Sequence, residues 1–422
     1  MKRIELREPH VLAPISWKNP IIYSVLTFIS LVIIFFLNSD AASKFVIDTG
    51  TTGIPLISFE LPTQLTVVSM TILEAVLAAV SWLLTSRREK NGVWLPIVFG
   101  LAFVVAFLTA AVGGNEQSLP VTSLLTGALF LSTPLIFGAL SGCICEHVGV
   151  INVAIEGQLL MGAFLAAVVG SVTRNPWLGL ICAPLAGAFL GALLALFAVR
   201  YWVDHIIVGV VLNVLATGLT SYLFSTVLSD NSELFQSAVK LPTWPIPLLS
   251  QIPVLGPVLF NQNVLVYVMY IAVILLQILM FKSRWGLRMR ACGEHPKAAD
   301  TVGIKVNTTR IRNTILGGAI AGLGGAFFTV ANGLIFAKDM SSGRGYIALA
   351  AMILGAWTPR GAVAAALLFG FADNLQNVLS VMGVAIPSQF MLMAPYLITV
   401  LAVAGLVGKV RAPAMEGVAY KG

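Results

Sequence analysis

The sequence predicts an all-α, polytopic integral membrane protein with about 10–12 transmembrane helices. Of the 422 residues, 58% are hydrophobic and only 10% are charged, whereas soluble proteins carry about 25% charged residues. The mean hydropathy is +0.93, and the apolar runs continue for about 20 residues, the length that a helix needs to cross a bilayer. This composition excludes a water-soluble globular protein. It also excludes a disordered chain, which would be rich in charge and poor in apolar residues.

Twelve apolar runs are predicted spans. The first run is longer than the apolar region of a signal peptide, about 7–15 residues, so we expect it to be retained. Cleavage at the Ala-Ala-Ser of residues 41–43 is the alternative. The tenth run is too short to span unaided, and the tenth and eleventh form either two tilted helices or a re-entrant hairpin. In order, the runs are 21–37, 65–84, 94–112, 121–142, 150–170, 177–199, 206–228, 264–281, 313–332, 345–357, 362–381 and 390–408.

The basic residues indicate the orientation of these spans. With the N-terminus in the cytoplasm, 20 of the 25 Lys and Arg residues fall in cytoplasmic segments, a strong positive-inside signal. Both termini are therefore expected in the cytoplasm, and the net charge of +7 is assigned to cytoplasmic loops rather than to nucleic-acid binding. The longest cytoplasmic loop, 282–312, is basic and contains helix-compatible stretches.

Catalytic and metal-binding motifs are missing from the sequence. No GxxxxGK[ST] phosphate loop, HExxH or GxSxG motif is present, so we expect neither ATP hydrolysis by this chain nor catalytic residues. The four cysteines include one CxC pair without a second pair to complete a zinc set, and we expect them to pack in the interior. They are Cys143, Cys145, Cys182 and Cys292.

Three carboxylates, Glu74, Glu156 and Asp373, fall inside predicted spans. An ionisable residue costs about 2.5–3.5 kcal/mol at a helix centre, so each is a candidate functional residue. Glu156 follows Asn152 by four residues, which predicts that both side chains share one helical face. Such a polar patch would face the substrate or gate it, and a structural hydrogen bond between helices is the alternative. For Glu74 we favour a helix contact.

A second polar cluster surrounds Asp373. Asn374, Gln376 and Asn377 follow it within an otherwise apolar run, and together they offer hydrogen-bond donors and acceptors suited to a sugar or a nucleobase. The alternative is a position near the outer end of the helix or against a partner subunit. Asn213, in another span, is able to join either patch. The predicted substrate-pathway residues are therefore Asn152, Glu156, Asn213, Asp373, Asn374 and Asn377.

Three segments carry a resemblance to a known family. Residues 285–304 read WGLRMRACGEHPKAADTVGI and resemble the cytoplasmic coupling loop of permease subunits in ATP-binding-cassette importers of the branched-chain amino acid, ribose and nucleoside class, approximately GLRxRAxGENPxAAxxxGI. The sequence departs from that pattern at Cys292 and His295. Residues 141–157 look like the family's SGVVNIGLEG stretch, with His147 in place of a small residue. Residues 343–357, followed by Pro359, are similar to GRGFIALAAVIFGxWxP of the nucleoside branch.

The resemblance covers roughly residues 121–420 and implies a type II-like importer permease at 121–422 with a coupling loop at 282–312. Residues 1–120 match less well and look like an N-terminal extension with up to three transmembrane helices. The implied partners are two ATP-binding ATPase subunits or domains, a second homologous permease, and an extracytoplasmic substrate-binding lipoprotein, in a bacterial cell membrane. No cofactor is implied for this chain, because ATP and magnesium bind the ATPases. The implied coupling residues are Gly286, Arg288, Arg290, Gly293, Glu294, Pro296, Ala298 and Ala299.

The expected function is formation of the translocation pathway for nucleosides. Ribose or another sugar, and then branched-chain amino acids, are the alternative substrates. An ion-coupled secondary transporter with Glu156 as proton carrier is the rival mechanism, which the coupling loop argues against. A membrane-bound enzyme is a third class, disfavoured because the sequence lacks clustered catalytic residues.

Overall fold

The structure, a computed structural model, describes residues 17–35, 37, 42–48, 55–89, 92, 94–235, 237, 239–384, 393 and 412–421. Within these residues, ten helices are long and apolar enough to cross a membrane. The prediction of an all-α, multi-pass membrane protein is therefore confirmed. The predicted span 390–408 lies outside the described residues.

The chain divides into two compact units, of which the first holds three membrane-length helices and a small sheet. Strand β1 is the middle strand of the sheet and runs parallel to β3, with Phe45 opposite Leu119. The elements of this unit are α1 (Lys18–Phe35), β1 (Ala42–Asp48), β2 (Pro55–Pro62), α2 (Thr63–Ser86), α3 (Trp94–Val112) and β3 (Leu119–Pro120).

A buried carboxyl group joins two helices of the first unit. Glu74 on α2 is fully buried, and its Oε2 accepts a hydrogen bond of 2.8 Å from the hydroxyl of Ser30 on α1. Tyr23 stacks on Phe99 of α3, with ring centroids 4.4 Å apart. Glu74 thus makes the helix contact that the sequence indicated.

The second unit comprises Asp48–Ile54, Val121–Val378 and Pro387–Gly422. Asparagine, aspartate or serine side chains accept backbone N–H groups at the starts of α6, α7, α10 and α11, which satisfies donors that a helix leaves unpaired. The helices of this unit are α4 (Val121–His147), α5 (Ile155–Thr173), α6 (Pro176–Ala195), α7 (His205–Leu223), α8 (Ser232–Phe235), α9 (Leu255–Phe260), α10 (Val264–Lys282), α11 (Arg284–Glu294), α12 (Pro296–Thr301), α13 (Val306–Gly325), α14 (Arg344–Leu354) and α15 (Pro359–Val381). A short antiparallel pair joins β4 (Thr243–Pro245) to β5 (Asn261–Asn263).

Small residues bring α5, α6 and α13 into close contact. A Cβ atom added at Gly187 of α6 would lie 2.1 Å from the carbonyl oxygen of Gly318 on α13, and one added at Gly162 of α5 would lie 2.2 Å from that of Gly322. No side chain fits between these backbones. Glycine therefore permits the helix packing that a membrane protein obtains without a strong hydrophobic drive.

The chain leaves α4 through an irregular segment, 148–154, before α5 begins at Ile155. Gly149 has a φ of +88°, a left-handed conformation that glycine adopts without steric cost. Val150, Asn152 and Ala154 are fully buried. Buried backbone groups of a non-helical segment need partners within the protein, and here the protein encloses these residues.

Helix α14 has 11 residues and is about 16 Å long, roughly half the bilayer core. It packs along the second half of α4, where a Cβ at Gly138 would meet the side chain of Ala348 at 2.7 Å. The indole N–H of Trp357 then donates to Glu146, near the end of α4. Helix α15 returns along α4, and Asn374 reaches the carbonyl oxygen of Leu124 at 2.7 Å. The predicted run 345–357 is thus a half-length helix, and α15 is one of the ten membrane-length helices.

Candidate substrate pathway and coupling surface

Glu156 holds the N-terminus of α14. Its side chain is buried near the start of α5, 6% exposed. Oε1 accepts hydrogen bonds from the hydroxyl of Ser341 at 2.6 Å and the N–H of Gly343 at 2.8 Å, and Oε2 accepts from the N–H of Gly345 at 2.5 Å. The first N–H groups of a helix have no partners within it and carry its positive dipole end. The carboxylate satisfies them inside the protein.

Asn213 on α7 connects the same region to a third helix. Its Oδ1 accepts from the N–H of Gly157 at 2.8 Å, and its Nδ2 donates to the carbonyl oxygen of Val153 at 2.9 Å and to the Tyr346 hydroxyl oxygen at 3.1 Å. The structure therefore brings Glu156 and Asn213 together, in contact with α5, α7 and α14.

Asn152 lies elsewhere, and the prediction that it shares a helical face with Glu156 is wrong. Asn152 precedes α5, in the irregular segment 148–154, so the helical spacing does not apply to it. Its Nδ2 donates to Ser141 and to Gln158, both at 3.0 Å. Because Asn152 is fully buried, these bonds hold the irregular segment against α4 and α5.

Arg344 links the second polar cluster to α14. Its backbone lies between the two glycines that contact Glu156, and its Nη2 lies 3.2 Å from Oδ2 of Asp373 on α15. Its guanidinium carbon is 5.6 Å from the ring centroid of Phe328. Asn374 contacts the first turns of α4, and Asn377 is exposed on α15. Asp373, Asn374 and Asn377 are thus not part of the Glu156–Asn213 contact.

A cavity of about 480 Å³ opens between α7 and segment 332–343. Asn213 and Thr217 come from α7, Asp339 from the segment and Tyr346 from α14. Sequence reasoning missed Asp339, which looked like part of an outside loop, and Tyr346, whose single polar atom lies in an apolar run. The cavity is lined by Glu156, Asn213, Val214, Thr217, Gly218, Asp339, Gly343 and Tyr346.

Half of the predicted coupling residues are buried. A Cβ at Gly286 would lie 2.1 Å from the Met280 carbonyl oxygen, and one at Gly293 would lie 2.2 Å from the His147 carbonyl oxygen. Pro296 is buried as well, and Ala299 packs with Cys292, Val306 and Tyr420. These four residues set the path of α11 and α12 against the rest of the unit.

The outer face of α11 and α12 combines charge with exposed apolar side chains. Arg288, Glu294 and Ala298 are exposed, while Arg290 is half-buried, with its guanidinium carbon 5.2 Å from the Phe281 ring centroid. Leu287 and Val302 are 63% and 75% exposed. These two residues lie in loop 282–312 and were not among the predicted coupling residues, because an uncharged side chain gives no local signal of a docking role. We call Leu287, Arg288, Ala298 and Val302 the coupling surface.

The C-terminal segment 412–421 packs against these same helices. The N–H of Met415 donates to the Gly293 carbonyl oxygen at 2.9 Å, and the N–H of Gly417 donates to the Gly149 carbonyl oxygen at 3.1 Å. Nη1 of the buried Arg310 donates to the Val418 carbonyl oxygen at 2.7 Å. The segment thus joins α11, α13 and the irregular segment after α4.

Glu416 in this segment hydrogen-bonds to the carboxyl group of Glu146. Burial raises the pKa of Glu416, and the hydrogen bond with Glu146 partly opposes that shift. Burial therefore favours the protonated, uncharged form of Glu416. Attachment of the C-terminal segment is accordingly favoured at low pH, where Glu416 is protonated.

The sequence is similar to permease components of known transport systems. Residues 124–407 match the family model described as branched-chain amino acid transport system / permease component. The chain is 38% identical over 301 residues to the nucleoside ABC transporter permease protein NupC of Lactococcus lactis, covering 69% of this chain and 94% of the relative. It is 37% identical over 305 residues to the guanosine ABC transporter permease protein NupQ of Bacillus subtilis, with the same coverage.

A third relative is named for a different substrate. The putative glucose ABC transporter permease protein TsgC13 of Haloferax volcanii is 33% identical over 257 residues, covering 60% of this chain and 76% of the relative. No solved structure matches the chain.

Proposed function

The chain belongs to the branched-chain amino acid transport system permease family, and we propose that it forms the translocation pathway of an ATP-binding-cassette importer for nucleosides. One observation carries this proposal: two relatives at 37–38% identity, each covered over 94% of its length, are a nucleoside and a guanosine permease. The cavity beside Glu156 supports it, because the lining offers hydroxyl, amide and carboxylate groups to a neutral polar solute.

Import of ribose or another sugar is the second candidate. The 33% identity to a putative glucose permease favours it, and a sugar would use the same hydroxyl-binding groups. Branched-chain amino acids have less support, since their apolar side chains gain no hydrogen bond from the hydroxyl, amide and carboxylate groups that line the cavity.

The proposed orientation puts α11, α12 and both termini in the cytoplasm of a bacterial cell, with the chain in its inner or plasma membrane. The distribution of 20 of the 25 basic residues supports this orientation. Two ATPase subunits or domains dock on the coupling surface, where exposed leucine and valine provide apolar contact area and Arg288 provides charge. ATP and magnesium bind those partners, and no cofactor binds this chain.

A second, homologous permease completes the pathway, and an extracytoplasmic lipoprotein delivers the substrate. Movement of the docked ATPases shifts α11 and α12, which are tied to α4 through the close contact of Gly293 with His147 and to the C-terminal segment through Met415. Only contacts that differ between inward and outward states bias their populations. We place such contacts at α11, α12 and the N-terminus of α14.

A proton-coupled mechanism with Glu156 as carrier has less support. A carrier must exchange its proton with water during each cycle. Both oxygens of Glu156 are instead engaged by Ser341, Gly343 and Gly345, an arrangement that suits a fixed structural carboxylate.

Uptake of labelled guanosine into cells that carry or lack the chain tests the proposed substrate. Excess unlabelled inosine, ribose, glucose or leucine serves as competitor. We expect chain-dependent uptake that inosine suppresses and leucine does not. Suppression by ribose or glucose as strong as that by inosine would favour the sugar importer, and absence of chain-dependent guanosine uptake would refute nucleoside import.

A further inference from the structure

The cavity beside Glu156 presents three side chains, each of which keeps hydrogen-bonding capacity that no described residue uses. The hydroxyl oxygen of Tyr346 accepts a hydrogen bond from Asn213 at 3.1 Å, so its own O–H is directed away from that bond and is available to donate. The side chains of Thr217 and Asp339 line the same cavity and bond to none of the described residues. The cavity therefore offers one phenolic donor, one hydroxyl and one carboxylate with two acceptor oxygens.

These groups match a particular chemical class of ligand. A carboxylate accepts two hydrogen bonds from vicinal hydroxyl groups, and bonds to an ionised acceptor are about twice as strong as neutral ones. The Tyr346 O–H donates to an ether or hydroxyl oxygen. A ribose ring has both features, whereas the edges of a purine present no vicinal hydroxyl pair.

The charge of the cavity lining further restricts the chemical class of the ligand. The cavity is lined by two carboxylates, Glu156 and Asp339, and by no Lys or Arg among the described residues. A phosphate group would have no cationic partner in the cavity and would be repelled by the two carboxylates. This repulsion discriminates against a phosphorylated ligand. Among ligands that carry a ribose, the cavity therefore fits an uncharged nucleoside and not a nucleotide.

We propose that Asp339, Tyr346 and Thr217 form a ribose-binding subsite of the translocation pathway, in which the carboxylate of Asp339 accepts hydrogen bonds from the 2′ and 3′ hydroxyl groups. The subsite rests on the proposed function, because it assigns a part of the nucleoside to a cavity of this chain. It contributes selectivity in addition to that of the delivering lipoprotein.

A comparison of guanosine with 2′-deoxyguanosine tests the subsite. Uptake of each labelled compound is measured over a concentration range in cells with the complete importer, for the unaltered chain, Asp339→Asn and Tyr346→Phe. The lipoprotein is the same in every strain, so a change in the ratio of the two uptake efficiencies reports on this chain. Asp230→Asn, which alters an exposed carboxylate away from the cavity, is the matched control.

We expect Asp339→Asn to lower the guanosine-to-deoxyguanosine ratio about five- to tenfold, the effect of weakening one charge-assisted hydrogen bond. Tyr346→Phe should lower guanosine uptake efficiency by a similar factor, and Asp230→Asn should leave the ratio unchanged. An unchanged ratio in Asp339→Asn, with guanosine uptake intact in the unaltered chain, would overturn the subsite and leave nucleoside import standing. Absence of guanosine uptake in the unaltered chain would remove both.

Filling the cavity provides a second test that does not depend on a polar group. Gly218 lines the cavity, and a Cβ added there has no atom within 4 Å, so Gly218→Leu begins its side chain in open space. We expect it to reduce guanosine uptake at least tenfold at an unchanged amount of protein in the membrane. Gly100→Leu, at a glycine on α3 that is equally open, should transport normally. Normal transport by Gly218→Leu would contradict the proposal.

Discussion

Replacing Glu156 by glutamine removes the group that holds the start of α14. In the structure one oxygen accepts from Ser341 and Gly343, and the other accepts from Gly345. A glutamine amide has one oxygen and one NH₂ group, and the NH₂ group cannot accept. In its better orientation, glutamine leaves the N–H of Gly345 without a partner and brings two donors together. The substitution also removes the negative charge at a helix N-terminus.

The expected loss of folding stability follows from these two changes. A buried donor left unpaired costs about 1–3 kcal/mol, and loss of a favourable charge at a helix end costs about 0.3–1 kcal/mol, or up to about 2 when partly buried. We expect Glu156→Gln to destabilise the protein by about 2–4 kcal/mol. At about 2 °C for each kcal/mol in a large domain, the melting temperature falls by about 4–8 °C.

Thermal unfolding of the purified protein in one detergent measures this shift. Glu233→Gln makes the same chemical change at an exposed position and should melt within about 1 °C of the unaltered protein. If Glu156→Gln also melts within that range, the three hydrogen bonds do not stabilise α14. Intact stability with altered transport kinetics would then assign Glu156 to the substrate rather than to packing.

Three further predictions concern the helices α11 and α12 and their neighbours. Gly293→Ala places a Cβ 2.2 Å from the His147 carbonyl oxygen and should destabilise the protein by about 1–3 kcal/mol in chemical unfolding, whereas Gly100→Ala should not; equal stability would refute the close contact. Val302→Asp, at a 75% exposed position, should abolish guanosine uptake at a normal membrane level, and normal uptake would refute docking there. Burial raises the pKa of Glu416. Protonated Glu416 therefore stabilises the attached C-terminal segment at low pH, and this stabilisation is lost as pH rises through that pKa. As pH rises, amide hydrogen exchange in 412–421, corrected for its intrinsic pH dependence, should accelerate in the unaltered chain but not in Glu416→Gln. Protection that does not change with pH in the unaltered chain would contradict this prediction.

Local properties of the sequence were sufficient to predict most of the fold. The ten membrane-length helices coincide with predicted runs, because the length of an apolar run is a local property that the bilayer thickness makes decisive. The helix-compatible stretches expected in loop 282–312 are present as α11 and α12. The contact of Glu74 with a neighbouring helix followed from the cost of placing a lone carboxyl group in a membrane.

The candidate site depended on contacts that no local pattern contains. Ser341, Gly343 and Gly345 lie 185, 187 and 189 residues after Glu156 in the chain, so the sequence indicated an important carboxylate but not its partners. The prediction that Asn152 and Glu156 share a helical face was wrong because a spacing of four residues aligns side chains only within a helix. Asn152 lies in the irregular segment 148–154, which contains the left-handed Gly149. Gly286 and Ala299 are buried and therefore do not belong to the coupling surface. The resemblance of the loop to the family does not distinguish them from the exposed Arg288 and Ala298.

The importer assignment is tested most directly in right-side-out membrane vesicles from cells that carry or lack the chain, with ATP or a non-hydrolysable analogue sealed inside. Uptake of labelled guanosine is followed with and without an imposed proton gradient. We expect uptake only when both the chain and hydrolysable ATP are present, at the same rate whether or not the gradient is imposed. Chain-dependent uptake driven by the gradient in vesicles that hold only the analogue would contradict the account and make the chain an ion-coupled transporter.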